Sequence, residues 1–345
     1  MATLTSDEIA DLITTTQRDL GEMKWTDLAS TLQEYIALNE IMQKEKVKFE
    51  SGTGIQFNVM KEDSGAARNT GLYEVDTYNV KDVMATGYVP WRHSNTNYAI
   101  ERRELKMNSQ PRRLVELVKV RRTDALLSWA KLCEDNFWSK PATSADELKP
   151  FGVFYWIVGN NTEGFNGGDP SGFSGGAAGL PTATYTRWKN WTAQYTAVTK
   201  PDLIAKMRKA TVFTKFKPPV PIAQYNRGPQ RRGIYTNYDV LNTMETLLED
   251  QNDNLGNDVA SKDSEVLFRK TPVKMAFSLE ADLDYTDPVV GIDWSVFYPV
   301  FLEGEFMREE KNRVAPNQHS TFVTDVDTTM NYCCKDRRKC FIINK

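Results

Sequence analysis

The 345-residue sequence predicts an α+β chain whose pieces reach beyond a single compact body. Three observations carry this. The hydrophobic period changes from helical to alternating near residue 52. A helical stripe then runs through about 30 residues after Asn108 without a break. Short alternating or wholly apolar runs mix with two further helical stretches from there to the C-terminus.

Residues 5–20, TSDEIADLITTTQRDL, open with Thr5 or Ser6 as N-cap, followed by Asp7 and Glu8 at the positive end of a helix dipole. Ile9, Leu12, Ile13 and Thr16 share a face, and Gly21 ends the helix. A second helix is expected from Thr26 to Val47, with Leu28, Leu32, Tyr35, Ile36, Asn39 and Met42 on its stripe and a basic C-terminal end. Helices this short are marginal alone, so the pair reads as an arm that lies against another surface. GTGIQFNVM then places Ile55, Phe57 and Val59 at alternate positions. Polar KEDSGAARNTG follows, and GLYEVDTYNV, DVMATGYVPW and NYAIERREL return to strand character. The pattern between Thr53 and Leu105 is a long β-hairpin with its tip near Ser64 to Gly71, a ribbon that needs a receiving surface.

The longest element is SQPRRLVELVKVRRTDALLSWAKLCEDNFWSK, residues 109–140. Asn108 or Ser109 caps it, Pro111 fits its first turn, and Pro141 is the expected stop. Leu114, Leu117, Val118, Arg121, Ala125, Trp129, Leu132 and Cys133 form its stripe. At 1.5 Å per residue the rod would be roughly 45 Å long. GVFYWIVG, residues 152–159, reads as a buried strand. GFNGGDPSGFSGGAAGL, residues 164–180, then holds seven of the 20 glycines. Beyond an aromatic stretch, LPTATYTRWKNWTAQYTAV, a helix is expected over Lys200 to Val212, with Leu203, Ile204, Met207 and Ala210 inward. PPVPIAQ is extended, and 237–253 is a helix with Val240, Leu241, Met244, Leu247 and Leu248 on one face. Residues 267–279 and 295–302 are expected strands, and TFVTDVDTTMNYCCKDRRKCFII alternates again.

Composition narrows the function. Hydrophobic residues make up 40% of the chain, enough for a substantial core, and aromatics 11%, which suits cores and interfaces alike. A formal net charge of −3 excludes a globally basic nucleic-acid binder. The N-terminus has no signal-peptide pattern, and no apolar run approaches the roughly 18 residues of a membrane span. Cys133 stands alone while Cys333, Cys334 and Cys340 crowd the C-terminus, unlike a secreted disulfide framework; a reducing cytoplasm is the expected site of folding.

The search for chemistry finds no catalytic, cofactor-binding or metal-binding residue to assign. His93 and His319 have no partner at metal or triad spacing, and no GxSxG elbow occurs. Cys333 and Cys334, adjacent in a strand, face opposite sides and do not share one ion easily. The acidic runs at 249–258 and 280–287 lack the glycine and glutamate of a calcium loop. The glycine run has neither phosphate-loop spacing nor a helix opening behind it, so it reads as a loop that needs φ > 0 turns. Arg102, Arg103, Lys106, Arg112, Arg113, Lys119, Arg121 and Arg122 cluster around the rod. They suit a solvated face with salt-bridge partners, an inter-subunit contact, or a surface that meets phosphates.

Several of these segments, in this order, resemble the major capsid protein of tailed bacteriophages, whose fold encapsulins share. NYAIERRELKMN (97–108) resembles the strand from the family's extended loop into its spine helix, and the rod resembles that helix. The glycine run with TATYTRWKNW is similar to a segment after the spine. RGIYTNYDVLNTMETLLEDQND resembles the axial strand and helix, and LFRKTPVKMAF an axial strand, with Lys270 where glycine is usual. The resemblance implies an arm at 1–50, an extended loop at 51–107, a peripheral domain at 108–199 and 303–345, and an axial domain at 200–302. It further implies pentamers and hexamers that close an icosahedral head around double-stranded DNA without sequence-specific binding. Expected partners are a separate scaffolding protein, a portal protein and decoration proteins, with no cofactor and no membrane. The alternatives are an encapsulin-type nanocompartment shell and a carbohydrate-binding or carbohydrate-cleaving protein.

Overall fold

The computed structural model describes residues 35–41, 47–62, 65, 67–75, 78, 81–107, 111–215, 232–249, 266–269, 271–280, 284–316 and 318–345. The helix expected at 5–20, the start of the second at 26–34 and the extended PPVPIAQ lie outside them. Helix α1 (Ile36–Ile41) buries Ile41, half-buries Leu38 and leaves Asn39 in solvent. Its inward face is therefore turned from the expected stripe, because α1 packs Leu38 and Ile41 into the main core. Glu134, itself buried, accepts the Leu38 N–H at 3.1 Å. Strand β1 (Lys48–Glu50) follows.

Strands β2 (Gly54–Met60) and β3 (Met84–Pro90) form the expected antiparallel ribbon, in register from Gly54↔Pro90 to Met60↔Met84. Two expectations fail here. Residues 71–75 form no strand, and none of the described strands pairs with them. The third segment, β4 (Arg92–Glu101), leaves the ribbon for another sheet, and RREL is helical, in α2 (Arg102–Met107).

The rod is α3 (Pro111–Phe137), 27 residues and about 40 Å long. It ends before Pro141, where the Trp138 indole turns back to donate to Glu134 at 2.9 Å. Val118, Ala125, Trp129, Cys133 and Phe137 are its buried stripe. Leu132 falls off that stripe and is 43% exposed. Against it lies β4: the Trp129 indole donates to Ser94 Oγ at 3.3 Å, and Thr96 Oγ1 to the Ala125 carbonyl at 3.1 Å.

Residues 153–156 are buried as expected but form a single helical turn, α4 (Val153–Trp156). A short, wholly apolar run fixes burial without fixing conformation. Strand β5 (Trp191–Gln194) and a wide turn over Lys200–Ile204 lead to α5 (Ala205–Phe213). Then come β6 (Arg232–Thr236) and α6 (Tyr238–Glu249). The strand expected at 267–279 is a hairpin, β7 (Val266–Phe268) and β8 (Thr271–Met275), turning at Arg269 with φ +48°. The chain closes with β9 (Val289–Asp293), β10 (Phe297–Leu302), β11 (Arg308–Glu309), β12 (Arg313–Ala315), β13 (Gln318–Cys334) and β14 (Phe341–Asn344).

Two sheets result. In the first, the 17-residue β13 is the organiser: β4 pairs along it from Thr321↔Glu101 to Met330↔Arg92, while β10, β11 and β12 pair on its other edge. Strand β1 adds to β10 in parallel. From Thr328 onward β13 is buried on both faces, so its sequence stops alternating there. The second sheet runs β5-β14-β9-β6-β8-β7. Leu203 of that wide turn, Met207 and Ala210 of α5, and Val240 and Met244 of α6 pack into its core. The segment between β5 and β14 is thus tied to the rest of the chain through both of those strands. An aromatic cluster fills the main core, with Phe137 in contact with Trp138, Trp294, Phe297 and Tyr332 at ring separations of 4.9–5.9 Å.

Trp129, 4% exposed, tests the helical phase. Trp129→Asp should cost more than about 3 kcal/mol, since it buries an unpaired carboxylate and leaves a cavity. The expected outcome is insoluble or protease-sensitive protein. A soluble variant with an unchanged urea midpoint contradicts the phase.

Candidate assembly surfaces

The ribbon does not project as a whole. Its inner face, Ile55, Phe57 and Val89, is buried in the main core, and the Phe57 ring sits 6.4 Å from Trp156 and 6.2 Å from Trp188. Gly87, opposite Phe57, makes room for that ring: a Cβ there would come within 2.6 Å of it. The receiving surface expected for the ribbon is therefore largely the chain's own body. Part of it is the glycine run, whose Ala178 carbonyl accepts the Tyr88 N–H at 3.0 Å.

The run is a packed loop. Gly164, Gly172, Gly176 and Gly179 all have φ between +73° and +124°. At Gly176 a Cβ would also lie 2.5 Å from the Leu180 carbonyl. Arg337 holds the loop from behind. Fully buried, it donates to the carbonyls of Trp156 at 2.6 Å, Trp188 at 3.0 Å and Gly168 at 2.8 Å, and to Asn190 Oδ1 at 3.3 Å. Burial lowers its pKa to about 10, so it is still a cation at neutral pH. Asn190 completes the tie through both the N–H and the carbonyl of Val158, at 3.1 and 2.9 Å. Asn331 fixes the ribbon exit in the same way, donating to the Pro90 carbonyl at 2.7 Å and accepting from the Phe151 N–H at 2.8 Å. Neither Arg337 nor the two asparagines stand out in the sequence. Arg337 lies inside the charged run KDRRK, while Asn190 and Asn331 each stand next to an aromatic residue, Trp191 and Tyr332.

Beyond Met60 and Met84, residues 67–75 and 78 are exposed. Leu72, Tyr73, Val75 and Tyr78 are 81–99% exposed. Their backbone is braced locally: Glu74 accepts the Gly71 N–H at 2.7 Å, and Arg68 donates to the Val75 carbonyl at 3.1 Å. Tyr73 holds φ +66°, a conformation costly for an aromatic residue. Four large apolar side chains thus stand exposed on one braced tip, the kind of area that marks candidate interaction sites.

The candidates for chemistry are absorbed by structure. His93 lies on β4 with Nδ1 2.8 Å from Thr329 Oγ1, and His319 is exposed on β13, so the two are not brought together. All four cysteines are buried free thiols. Burial pushes Cys133 and Cys333 up to about 12. In the acidic run at 280–287, Asp284 pairs with Lys140, and Asp287 accepts from Asn237 at 2.7 Å and Lys345 at 2.9 Å. The run at 249–258 lies outside the described residues except for Glu249. Of the basic cluster, Arg121 pairs with Glu104 at 2.8 Å, Arg122 with Glu309 at 2.7 Å and Arg103 with Glu101 at 3.6 Å, which fits the salt-bridged face. The side chains of Lys106, Arg112 and Arg113 lie outside the described residues. Among the described residues, no group of three or more His, Cys, Asp or Glu could hold a metal ion, and no helix is long and apolar enough to cross a membrane.

The sequence matches no protein-family model and no curated protein. The fold has solved counterparts. A chain of the Cyanophage A-1(L) capsid asymmetric unit aligns at 14% identity and a TM-score of 0.64, over 96% of this chain and 98% of that one. The capsid of the native GTA particle aligns at 10% identity and 0.59, over 94% and 95%. A chain of Gordonia phage Cozz aligns at 8% identity and 0.51, over 94% and 91%. The chain therefore has the fold of phage capsid proteins, and it spans nearly the full length of these counterparts. It is the tailed-phage capsid fold that the order of segments resembles.

Two predictions concern the frame behind the tip. Arg337→Met leaves three carbonyls without their donor and should lower unfolding free energy by about 2–5 kcal/mol, read as a lower urea midpoint. The buried thiols should resist a thiol reagent at pH 8 until the chain unfolds. Because folding raises the Cys133 and Cys333 values from 9.0 to about 12, their contribution is complete below about pH 9. It declines between pH 9 and 12, as the unfolded chain ionises first. Urea midpoints measured across that range should fall with rising pH.

Proposed function

We propose that this chain is a structural major capsid protein that assembles as pentamers and hexamers into an icosahedral phage head around double-stranded DNA. The observation that carries it is the ribbon tip: four exposed apolar side chains on a braced loop, in a chain with a capsid fold along nearly its whole length. Residues 1–50 serve as the arm and 51–107 as the extended loop. Residues 108–199 with 303–345 serve as the peripheral domain with α3 as its spine, and 200–302 as the axial domain. The role is structural, with no catalysis and no cofactor. Its partners are copies of itself, a scaffolding protein, a portal protein and decoration proteins. It folds and assembles in the bacterial cytoplasm and ends in the virion. Each contact is weak alone, and closure by many neighbours multiplies them.

Purified protein should form capsomers or shells by negative-stain microscopy and light scattering. Replacing residues 63–81 by a short Gly-Ser linker should leave the melting curve within a few degrees of the parent, since the tip contributes little to the core, yet abolish shells. A wild-type chain that stays monomeric in all scaffolding and salt conditions overturns the reading.

A further inference from the structure

The chain contains two Asp-Pro bonds, Asp169–Pro170 in the glycine run and Asp287–Pro288 just before β9. The second has an environment of its own. Asp287 holds φ +42°, left-handed backbone that a residue with a side chain adopts at a cost. It does so ahead of a proline, which by itself pushes the preceding residue toward extended backbone. Its carbonyl oxygen accepts from the Tyr195 hydroxyl at 2.9 Å. Its carboxylate accepts from Asn237 Nδ2 at 2.7 Å and from Lys345 Nζ at 2.9 Å. The fold delivers these groups together. Gln194 of β5 pairs with Asn344 of β14, so Tyr195 and Lys345 leave that sheet as neighbours, and the Lys345 N–H donates to the Thr286 carbonyl at 3.1 Å. Buried Asn237 stands just before α6, where its Oδ1 accepts the Val240 N–H at 3.2 Å. Asp169 differs on each point. It is not at positive φ, its carboxylate accepts the Thr182 N–H, and none of the described residues donates to its carbonyl.

We propose that Asp287–Pro288 is a self-cleavage site, at which the Asp287 carboxylate attacks its own peptide carbonyl. A carboxylate oxygen bonds to the carbonyl carbon, and the carbonyl electron pair moves onto the oxygen that Tyr195 faces. The electron pair returns and the bond to the Pro288 nitrogen breaks. That nitrogen leaves with a proton drawn from a water molecule, and the hydroxide left behind opens the cyclic anhydride. The products are an Asp287 end with two carboxyl groups and a Pro288 end with a free amine, for one water consumed. Asp287 is 21% exposed, so water reaches it. Burial pushes the Tyr195 hydroxyl up, so it remains a donor at neutral pH. Asn237 and Lys345 are positioning residues that restrict the carboxylate to few rotamers. The event happens once per chain and leaves the structural role as it stands. Its effect is mechanical. Residues 195–287 keep their covalent link through β5 and lose the one to β9, while the β6–β9 and β14–β9 ladders hold the two pieces together.

Mass spectrometry of the purified full-length chain, kept folded at neutral pH with protease inhibitors, tests the proposal. The expected products end at Asp287 and begin at Pro288, with Asp169–Pro170 intact. In urea the preference should vanish and the two bonds behave alike. Tyr195→Phe should slow cleavage about a hundredfold with a melting curve within a few degrees of the parent. Asp287→Gly, which suits the positive φ, should stop it. In water enriched in heavy oxygen, label should enter the side-chain carboxyl of Asp287, which direct attack of water on the peptide bond does not produce. A chain that stays whole, equal cutting of the two Asp-Pro bonds in the folded protein, an unchanged rate in Tyr195→Phe, or label confined to the main-chain carboxyl each overturns the proposal. All of these readouts are independent of whether the chain assembles.

Discussion

Arg337 is the constraint on which the exposed surface depends. Its guanidinium, out of contact with water, spreads its donors over the end of the α4 turn, the glycine run and the aromatic segment before β5. Those three segments have no ladder of their own to align them. A lysine would supply one point of charge where this site needs a planar fork. None of its hydrogen-bond partners is a carboxylate: three peptide carbonyls and the Asn190 amide oxygen take its donors, with the Asp169 charge acting at longer range. That costs desolvation, and it gives position in return. Trp156 and Trp188 are held where Phe57 must pack, and Ala178 is held where Tyr88 must bond.

Rigidity at the base explains freedom at the tip. The ribbon's lower half adds its apolar face to the main core, so its direction is set by the body. The described residues of its upper loop hold local hydrogen bonds, which shape the backbone without covering the apolar side chains. A chain built this way carries its exposed loop in a defined direction, so any contact the loop makes costs little further ordering. Two-stranded ribbons are marginal in water, and here the body removes that weakness for seven residue pairs while leaving the tip unsatisfied.

Much of this frame is legible in the residues. The β2 alternation, the stripe of α3, the face of α5 and the order of segments follow from periodicity, which reports which side of an element is buried. What periodicity does not report is pairing partner. Strand β4 has the same texture as β3, yet joins β13, more than 200 residues away, because α3 folds back over it. Residues 152–159 are apolar throughout, so nothing in them separates strand from helical turn, and the Arg337 tie at Trp156 decides. The α1 phase depends on which face meets Glu134, a contact between residues 96 positions apart. The tip's role is invisible for a different reason. GLYEVDTYNV reads as strand from its β-branched and aromatic residues, but no described strand pairs with residues 71–75, and Leu72, Tyr73, Val75 and Tyr78 stand in solvent.

The glycine run links these scales. Its spacing resembles a phosphate cradle only in composition, and its backbone N–H and carbonyl groups are used inward. Left-handed turns let the loop coil tightly enough for Arg337 to reach Gly168 on one side while Tyr88 reaches Ala178 on the other. A side chain at Gly176 would collide with backbone that has no room to move, so the glycines are a packing requirement of the ribbon's seat. A loop spent on seating an arm leaves the chain's free chemistry at the arm's end. There the exposed large side chains, Leu72, Tyr73, Val75 and Tyr78, are apolar, and apolar area gathered on a seated arm is the kind of surface that contact with another molecule covers.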